Sequence, residues 1–167
     1  MPLWVLILSY WLHMAATVCW IGGLFFQAVY LNPALQRSLP PEGVARVLES
    51  IRRRFDPFAW LSLAVLVVTG LVQMTANPSY RAFLLVENRW TAAILAKHLA
   101  ILIMVIVASY QSWGLLPRLA RLAWQRAHGR DESVLAASLL KRQFRLTRLN
   151  LILALIVLAF TAVARSV

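Results

Sequence analysis

Four long apolar segments alternate with polar or basic stretches along the chain. They cover residues about 3–30, 57–75, 90–115 and 149–164. Helices of these lengths cross a hydrocarbon core of about 30 Å at a rise of about 1.5 Å per residue. The pattern therefore predicts an all-α fold, an integral membrane four-helix bundle, with residues 1–167 forming a single four-span domain.

Composition favours the same interpretation. Apolar residues make up 61% of the chain and the mean hydropathy is +0.71, whereas a soluble domain has about 45–50% apolar residues. The net charge of +11 would suggest nucleic-acid binding in a soluble protein. Here the charges avoid the apolar segments and gather between them, so we predict the lipid bilayer, and no nucleic acid, as the surrounding partner.

The basic residues also predict an orientation. Lys and Arg number five between spans one and two and eight between spans three and four, against Arg81, Arg89 and Arg165 on the opposite side. Positively charged loops stay in the cytoplasm and attract anionic lipids. We therefore predict a multi-pass protein of the plasma (inner) membrane with both termini outside, basic cytoplasmic loops, and anionic lipids at those loops.

The two basic loops carry helical patterns of their own. In the first loop, Pro40-Pro41-Glu42 precedes apolar residues that recur at helical spacing between 44 and 55, which predicts a short amphipathic helix on the membrane surface. In the second loop, both sides of residues 129–131 are helical in pattern. Residues from Glu132 onward can continue into span four as one long helix.

Two histidines lie on the polar faces of spans one and three. His13 follows Trp4 by nine residues and His98 follows Trp90 by eight, so both imidazoles lie about 12–13 Å from the outer aromatic level. The two spans run in the same direction, so their depths compare directly. Two imidazoles at equal depth can grip one iron from opposite sides, as in bundles that hold a b-type haem. Hydrogen bonding inside the bundle is the plainer alternative.

Lys97 is the remaining ionisable residue inside a span. It precedes His98 by one position and so points about 100° away on the helix. Its ammonium either extends to the outer surface or pairs with a haem propionate. Lys97 could also be a proton-handling group. These interpretations stay open from the sequence.

Copper is the competing cofactor. Soft ligands suit Cu(I), and Met14, Cys19, Met74 and Met104 lie within spans. No Met pair at helical spacing occurs, and Cys19, the single cysteine, lies six residues from His13 on another face. Scattered Met and a lone Cys are also ordinary packing residues.

Several short motifs occur over about residues 8–119. They are Trp11-Leu12-His13, residues 20–26 (Trp-Ile-Gly-Gly-Leu-Phe-Phe), Pro33-Ala34-Leu35, Arg54-Phe55, Thr69-Gly70, Lys97 and residues 116–119 (Leu-Pro-Arg-Leu). Together these motifs resemble the copper resistance D (CopD)-like membrane proteins and, distantly, the HemJ-type protoporphyrinogen oxidases. The resemblance implies a haem-linked or copper-linked membrane protein in which His13 and Lys97 are functional positions.

Three functions follow from these observations. The leading hypothesis is a CopD-like protein that binds haem b through His13 and His98, with Lys97 nearby, for electron transfer or membrane redox chemistry. Its catalytic residues are unknown, and a haem-linked oxidoreductase and a redox partner are compatible with it. The alternative is copper transport or copper tolerance. The second alternative is a cofactor-free accessory subunit of a larger membrane complex.

Overall fold

The computed structural model describes residues 2–76, 89–128 and 133–166, and these residues are helical almost throughout. Arg81 and the loop at residues 129–131 lie outside the described residues. In chain order the elements are α1 (Leu3–Phe25), a π-helical segment π1 (Phe26–Leu31), α2 (Asn32–Ser38), α3 (Pro41–Thr75), α4 (Arg89–Ser109), a second π-helical segment π2 (Tyr110–Leu115), α5 (Leu116–Ala127) and α6 (Ser133–Ser166).

The predicted all-α membrane fold is confirmed. Four helical stretches in the described residues are long and apolar enough to cross a membrane: Leu3–Ser38, Pro41–Thr75, Trp90–Gln125 and Val134–Ala164. Each contains one predicted span and extends beyond it at the end that carries the basic residues. The inward orientation of that basic end stays a prediction.

The first basic loop differs from the sequence prediction. No separate surface helix precedes span two, because α3 runs from Pro41 to Thr75 without interruption and contains Pro57 in its interior. The apolar side chains of Val44 and Leu48 are buried against protein. A proline removes one backbone hydrogen bond. The other backbone hydrogen bonds of this long helix maintain it on both sides of Pro57.

The helices on both sides of the second basic loop agree with the prediction. α6 is one helix from Ser133 to Ser166, so the segment before span four does continue into it. Glu132, where the predicted helix begins, lies outside the described residues. α5, on the other side of the loop, extends span three from Leu116 to Ala127.

The two halves of the chain share one order of elements. Each half has a helix, a π-helical segment, a short helix and then a long helix of 35 or 34 residues. α1 packs mainly on α3, and α4 packs mainly on α6. His13 precedes π1 by 13 residues and His98 precedes π2 by 12, so the two histidines occupy comparable places in the two halves.

An apolar cluster joins the halves at the basic end. It brings together side chains from α2, the first part of α3, α5 and the first part of α6, and much of it lies beyond the predicted spans. Here water can drive apolar burial, which it cannot do between helices in lipid. The cluster consists of Leu35, Val44, Ala45, Leu48, Leu115, Leu116, Leu119, Leu140 and Phe144.

We expect Leu119→Ala to destabilise the folded protein strongly, because Leu119 is 1% exposed within this cluster. Truncating a buried leucine costs about 2–5 kcal/mol. Val134 is 83% exposed, so Val134→Ala is the control. Thermal unfolding in mild detergent measures both. Equal unfolding midpoints for the two variants would mean that the cluster contributes little to stability.

The orientation can be tested by cysteine labelling in a Cys19→Ser background. We expect a membrane-impermeant maleimide to label Val134→Cys in inverted vesicles and not in intact cells, since the basic end is predicted to be cytoplasmic. Leu3→Cys, at the opposite end and also exposed, should show the reverse. An exchanged labelling pattern would contradict the predicted orientation.

Candidate functional site

His13 lies in a small polar cluster where α1 packs on α3. Its Nδ1 is 2.8 Å from Thr69 Oγ1. Ser9 Oγ donates to the Thr69 carbonyl oxygen at 3.3 Å, and Gln73 Nε2 donates to the Ser9 carbonyl oxygen at 3.2 Å. We call Ser9, His13, Thr69 and Gln73 the His13 cluster. A Cβ on Gly70 would be 3.6 Å from His13 Cε1, so α3 passes directly beside the imidazole.

The hydrogen bonds of Thr69 favour one tautomer of His13. The Thr69 hydroxyl has a single hydrogen and lies 2.6 Å from the Val65 carbonyl oxygen, which can only accept. This arrangement favours donation from His13 Nδ1–H to Thr69 Oγ1. A neutral imidazole protonated at Nδ1 carries its lone pair on Nε2, which is the nitrogen that binds metals in such arrangements. Thr69 thus positions His13 as metal ligands are usually positioned.

His98 is held in the same tautomer by its own helix. Its Nδ1 is 2.7 Å from the Ile94 carbonyl oxygen, and a carbonyl oxygen only accepts, so Nδ1 carries the hydrogen. Both candidate ligands therefore have Nε2 as their basic nitrogen. Lys97 is half-buried on α4 beside His98. That the two histidines share one iron, and that Lys97 contributes to a cofactor site, stay predictions.

A cavity of about 650 Å³ lies nearer the basic end, between α1, α3, π2 and α6. We call it the basic-end cavity. His13, His98 and Lys97 are not among its lining residues, so the candidate ligands and the cavity are separate features. Cys19 lines the cavity, as do the bare backbones of Gly22 and Gly23. Its main polar lining residues are Gln27, Asp56, Gln111, Ser112, Gln143, Thr147 and Asn150.

The two π-helical segments contribute to the wall of this cavity. π1 supplies Phe26 and Gln27, and π2 supplies Gln111 and Ser112. A π-helical turn adds one residue to the helical repeat and so changes the direction of the side chains around it, which is why such turns are frequent at functional sites. The equivalent insertion in both halves directs a glutamine to the cavity from each.

A buried amide network occupies the α6 side of the cavity. Gln111 Nε2 donates to Thr147 Oγ1 at 3.0 Å and, more weakly, to the Gln143 backbone oxygen at 3.4 Å. Asn150 Nδ2 donates to Gln111 Oε1 at 3.4 Å. The Thr147 hydroxyl donates to the Gln143 backbone oxygen at 3.1 Å. The donors of Gln111, Thr147 and Asn150 are therefore directed at acceptors within the network.

Acceptors remain after these donors are used. Among the residues that the structure describes, Gln143 Oε1 and Asn150 Oδ1 have no hydrogen-bond partner, and both are buried, since their residues are only 5% and 1% exposed. A buried polar atom without a partner costs about 1–3 kcal/mol, and it usually marks a water or ligand. The α6 wall of the cavity therefore offers acceptors to whatever enters.

Charged residues of α3 border the cavity on its basic side. Arg52 donates two hydrogen bonds of 2.8 Å to Glu49 and lies 3.6 Å from the Asp56 carboxylate. The Arg52 hydrogen bonds lower the pKa of Glu49, which precedes the predicted span, to about 2. Asp56 lines the cavity itself, and so does the exposed Arg54. One carboxylate and one guanidinium therefore lie at its border.

The soft residues proposed for copper are spread through the bundle. Met14 and Cys19 are exposed, whereas Met74 and Met104 are buried. Within residues 2–76, 89–128 and 133–166, no group of three or more His, Cys, Asp or Glu side chains could hold a metal ion. Any copper site among these residues would use fewer such ligands or draw on other donors.

Sequence analysis did not predict the amide network. Gln143, Thr147 and Asn150 follow an i, i+4, i+7 pattern that places them on one face of a helix, and this spacing could have revealed it. The pattern crosses residue 149, where span four was predicted to begin, so of these three residues only Asn150 falls inside the predicted span. Asp56 was likewise assigned to a loop, one residue before span two.

Comparison with known protein families identifies a match. The family model of CopD, copper resistance protein D, matches residues 49–164, about two thirds of the chain. The matched region includes Asp56, Thr69, Lys97, His98 and the amide network, and begins after His13. No curated protein and no solved structure matches the chain. This four-span membrane protein belongs to the CopD family.

Proposed function

We propose that this protein acts in copper resistance by binding copper within the membrane and moving it across the bilayer. The observation that carries the proposal is the family match over residues 49–164, whose description is copper resistance protein D. The structure adds support through His13 and His98, because imidazole is a good copper ligand. In this proposal copper is the transported substrate and the two Nε2 atoms are its binding groups.

Thr69 belongs to the proposed site as a positioning residue. Its Oγ1 accepts the His13 Nδ1 hydrogen at 2.8 Å, which keeps Nε2 as the basic nitrogen. Residues of this kind behind a metal-binding histidine affect metal affinity by about 10–100-fold. Thr69 lies within the family-matched region, so its pairing links the matched part of the chain to His13.

We expect His13→Ala to remove most of the copper-dependent effect of the protein in cells. The measurements are the growth of expressing cells on graded copper salt and the copper content of those cells, each relative to cells without the protein. His128→Ala is the matched control, since His128 is exposed and bonds through Nδ1 to the Trp124 carbonyl oxygen as His98 does to that of Ile94. If the His13→Ala protein behaves like the wild type, His13 is not needed for the copper-dependent effect.

We expect Thr69→Val to weaken copper binding by purified protein about tenfold or more, because valine keeps the shape of threonine without its acceptor. Thr69→Ser, which restores the hydroxyl, should recover the affinity. Equilibrium competition with a chromophoric Cu(I) chelator measures all three proteins. Equal affinities for the valine and serine variants would show that Thr69 does not position the ligand.

A b-type haem held by His13 and His98 is the second candidate. The favouring observation is that both rings bond through Nδ1, which leaves Nε2 as the iron-binding nitrogen in each. The haem would supply one-electron chemistry, while the chain would orient the two rings.

The haem candidate predicts a sharp Soret band and a b-type α-band in the reduced-minus-oxidised spectrum. His13→Ala should abolish both bands and His128→Ala should leave them unchanged. A flat spectrum from protein expressed with ample haem would eliminate this candidate. Protein that bound neither haem nor copper would instead favour the accessory-subunit alternative.

A further inference from the structure

We propose that the basic-end cavity is a binding site for a phospholipid with a primary ammonium headgroup, such as phosphatidylethanolamine. The proposal concerns a part of the molecule separate from His13 and His98, since neither lines the cavity. It is therefore independent of whether the protein handles copper.

The first argument is the chemistry of the α6 wall. Among the described residues, Gln143 Oε1 and Asn150 Oδ1 are buried acceptors without a partner, while the Gln111 amide, the Thr147 hydroxyl and the Asn150 amide each donate within the network. These two oxygens suit a ligand that donates hydrogen bonds. A primary ammonium has three N–H donors, and its positive charge strengthens each bond to a carbonyl oxygen. The trimethylammonium of choline has no donor.

The second argument is charge complementarity at the border. The Asp56 carboxylate lines the cavity and lies 3.6 Å from the Arg52 guanidinium, and a carboxylate can accept from an ammonium as well as from this neighbour. Arg54 also lines it and is exposed, and a guanidinium suits a phosphate. A zwitterionic headgroup carries both of these charges a few bonds apart. An alkali cation would leave the positive charge of Arg54 without an anionic partner. A free phosphate would be repelled by the negative charge of Asp56.

The third argument is the position and shape of the cavity. Asp56 lies one residue before the predicted start of span two, and Asn150 lies one residue after the predicted start of span four. Lipid headgroups lie at the level where these spans begin. The remaining lining is largely apolar and includes Phe26 and the 70% exposed Phe58. A side chain added at Gly22 or Gly23 would meet nothing within 4 Å. These glycines leave an open groove along α1 in which an acyl chain can lie.

The test compares lipids that differ only in the headgroup. Purified protein is equilibrated with equal amounts of dioleoyl phosphatidylethanolamine and dioleoyl phosphatidylcholine, and native mass spectrometry measures which lipid stays bound. We expect the ethanolamine lipid to be retained in at least about tenfold excess, the effect of one hydrogen bond to a charged group. Equal retention of the two lipids would overturn the proposal.

Two variants address different parts of the site. Asn150→Leu removes a bare acceptor and should abolish the preference for ethanolamine. Gly23→Leu fills the groove and should reduce retention of both lipids, and it should fold because the space beside it is open. Gln73→Leu is the control, an amide variant in the His13 cluster outside the cavity. An unchanged preference in Asn150→Leu together with unchanged retention in Gly23→Leu would place the lipid elsewhere.

A third arm separates the headgroup from a free cation. The thermal midpoint of delipidated protein is measured in ammonium chloride and in sodium chloride at equal ionic strength, and then with the ethanolamine lipid. We expect stabilisation by the lipid that Asn150→Leu loses. Stabilisation by ammonium chloride alone, with none from the lipid, would identify a small cation as the ligand and overturn the lipid proposal.

Discussion

Hydrocarbon offers no hydrogen-bond partners, and this constraint governs the arrangement of polar groups in the bundle. Several hydroxyl groups within the spans bond to the preceding turn of their own helix, as Thr17 does to the His13 carbonyl oxygen and Thr161 to that of Val157. Other polar side chains bond to a neighbouring helix. His13 hydrogen-bonds to Thr69 in this way, and Gln111 hydrogen-bonds to Thr147.

Two kinds of packing hold the helices together. Between α1 and α3 the contacts within the lipid are supported by the hydrogen bonds of the His13 cluster. At the basic end, where the helices extend past the predicted spans, an apolar cluster joins α3, α5 and α6. The first kind relies on close contact and hydrogen bonds, the second on the exclusion of water. The basic-end cavity lies between the hydrogen-bonded contacts of α1 and α3 and the apolar cluster at the basic end.

The sequence predicted the helical crossings well because long apolar segments have few alternatives in a bilayer. It misjudged the start of α3, because it divided this segment into a short surface helix and a span beginning at about residue 57, whereas the structure has one helix of 35 residues. The cavity was not predictable in the same way. It depends on two π-helical insertions, at Phe26–Leu31 and Tyr110–Leu115, which no simple periodicity reveals. The polar partner of His13 depended on the register between α1 and α3.

α3 is a single helix that contributes residues to three separate parts of the molecule. At about 1.5 Å per residue its 35 residues extend about 50 Å. Val44 is buried in the apolar cluster near one end, Asp56 borders the cavity, and Thr69 holds His13 near the other end. One helix thus connects the apolar cluster at the basic end, the border of the cavity and the hydrogen-bond partner of His13.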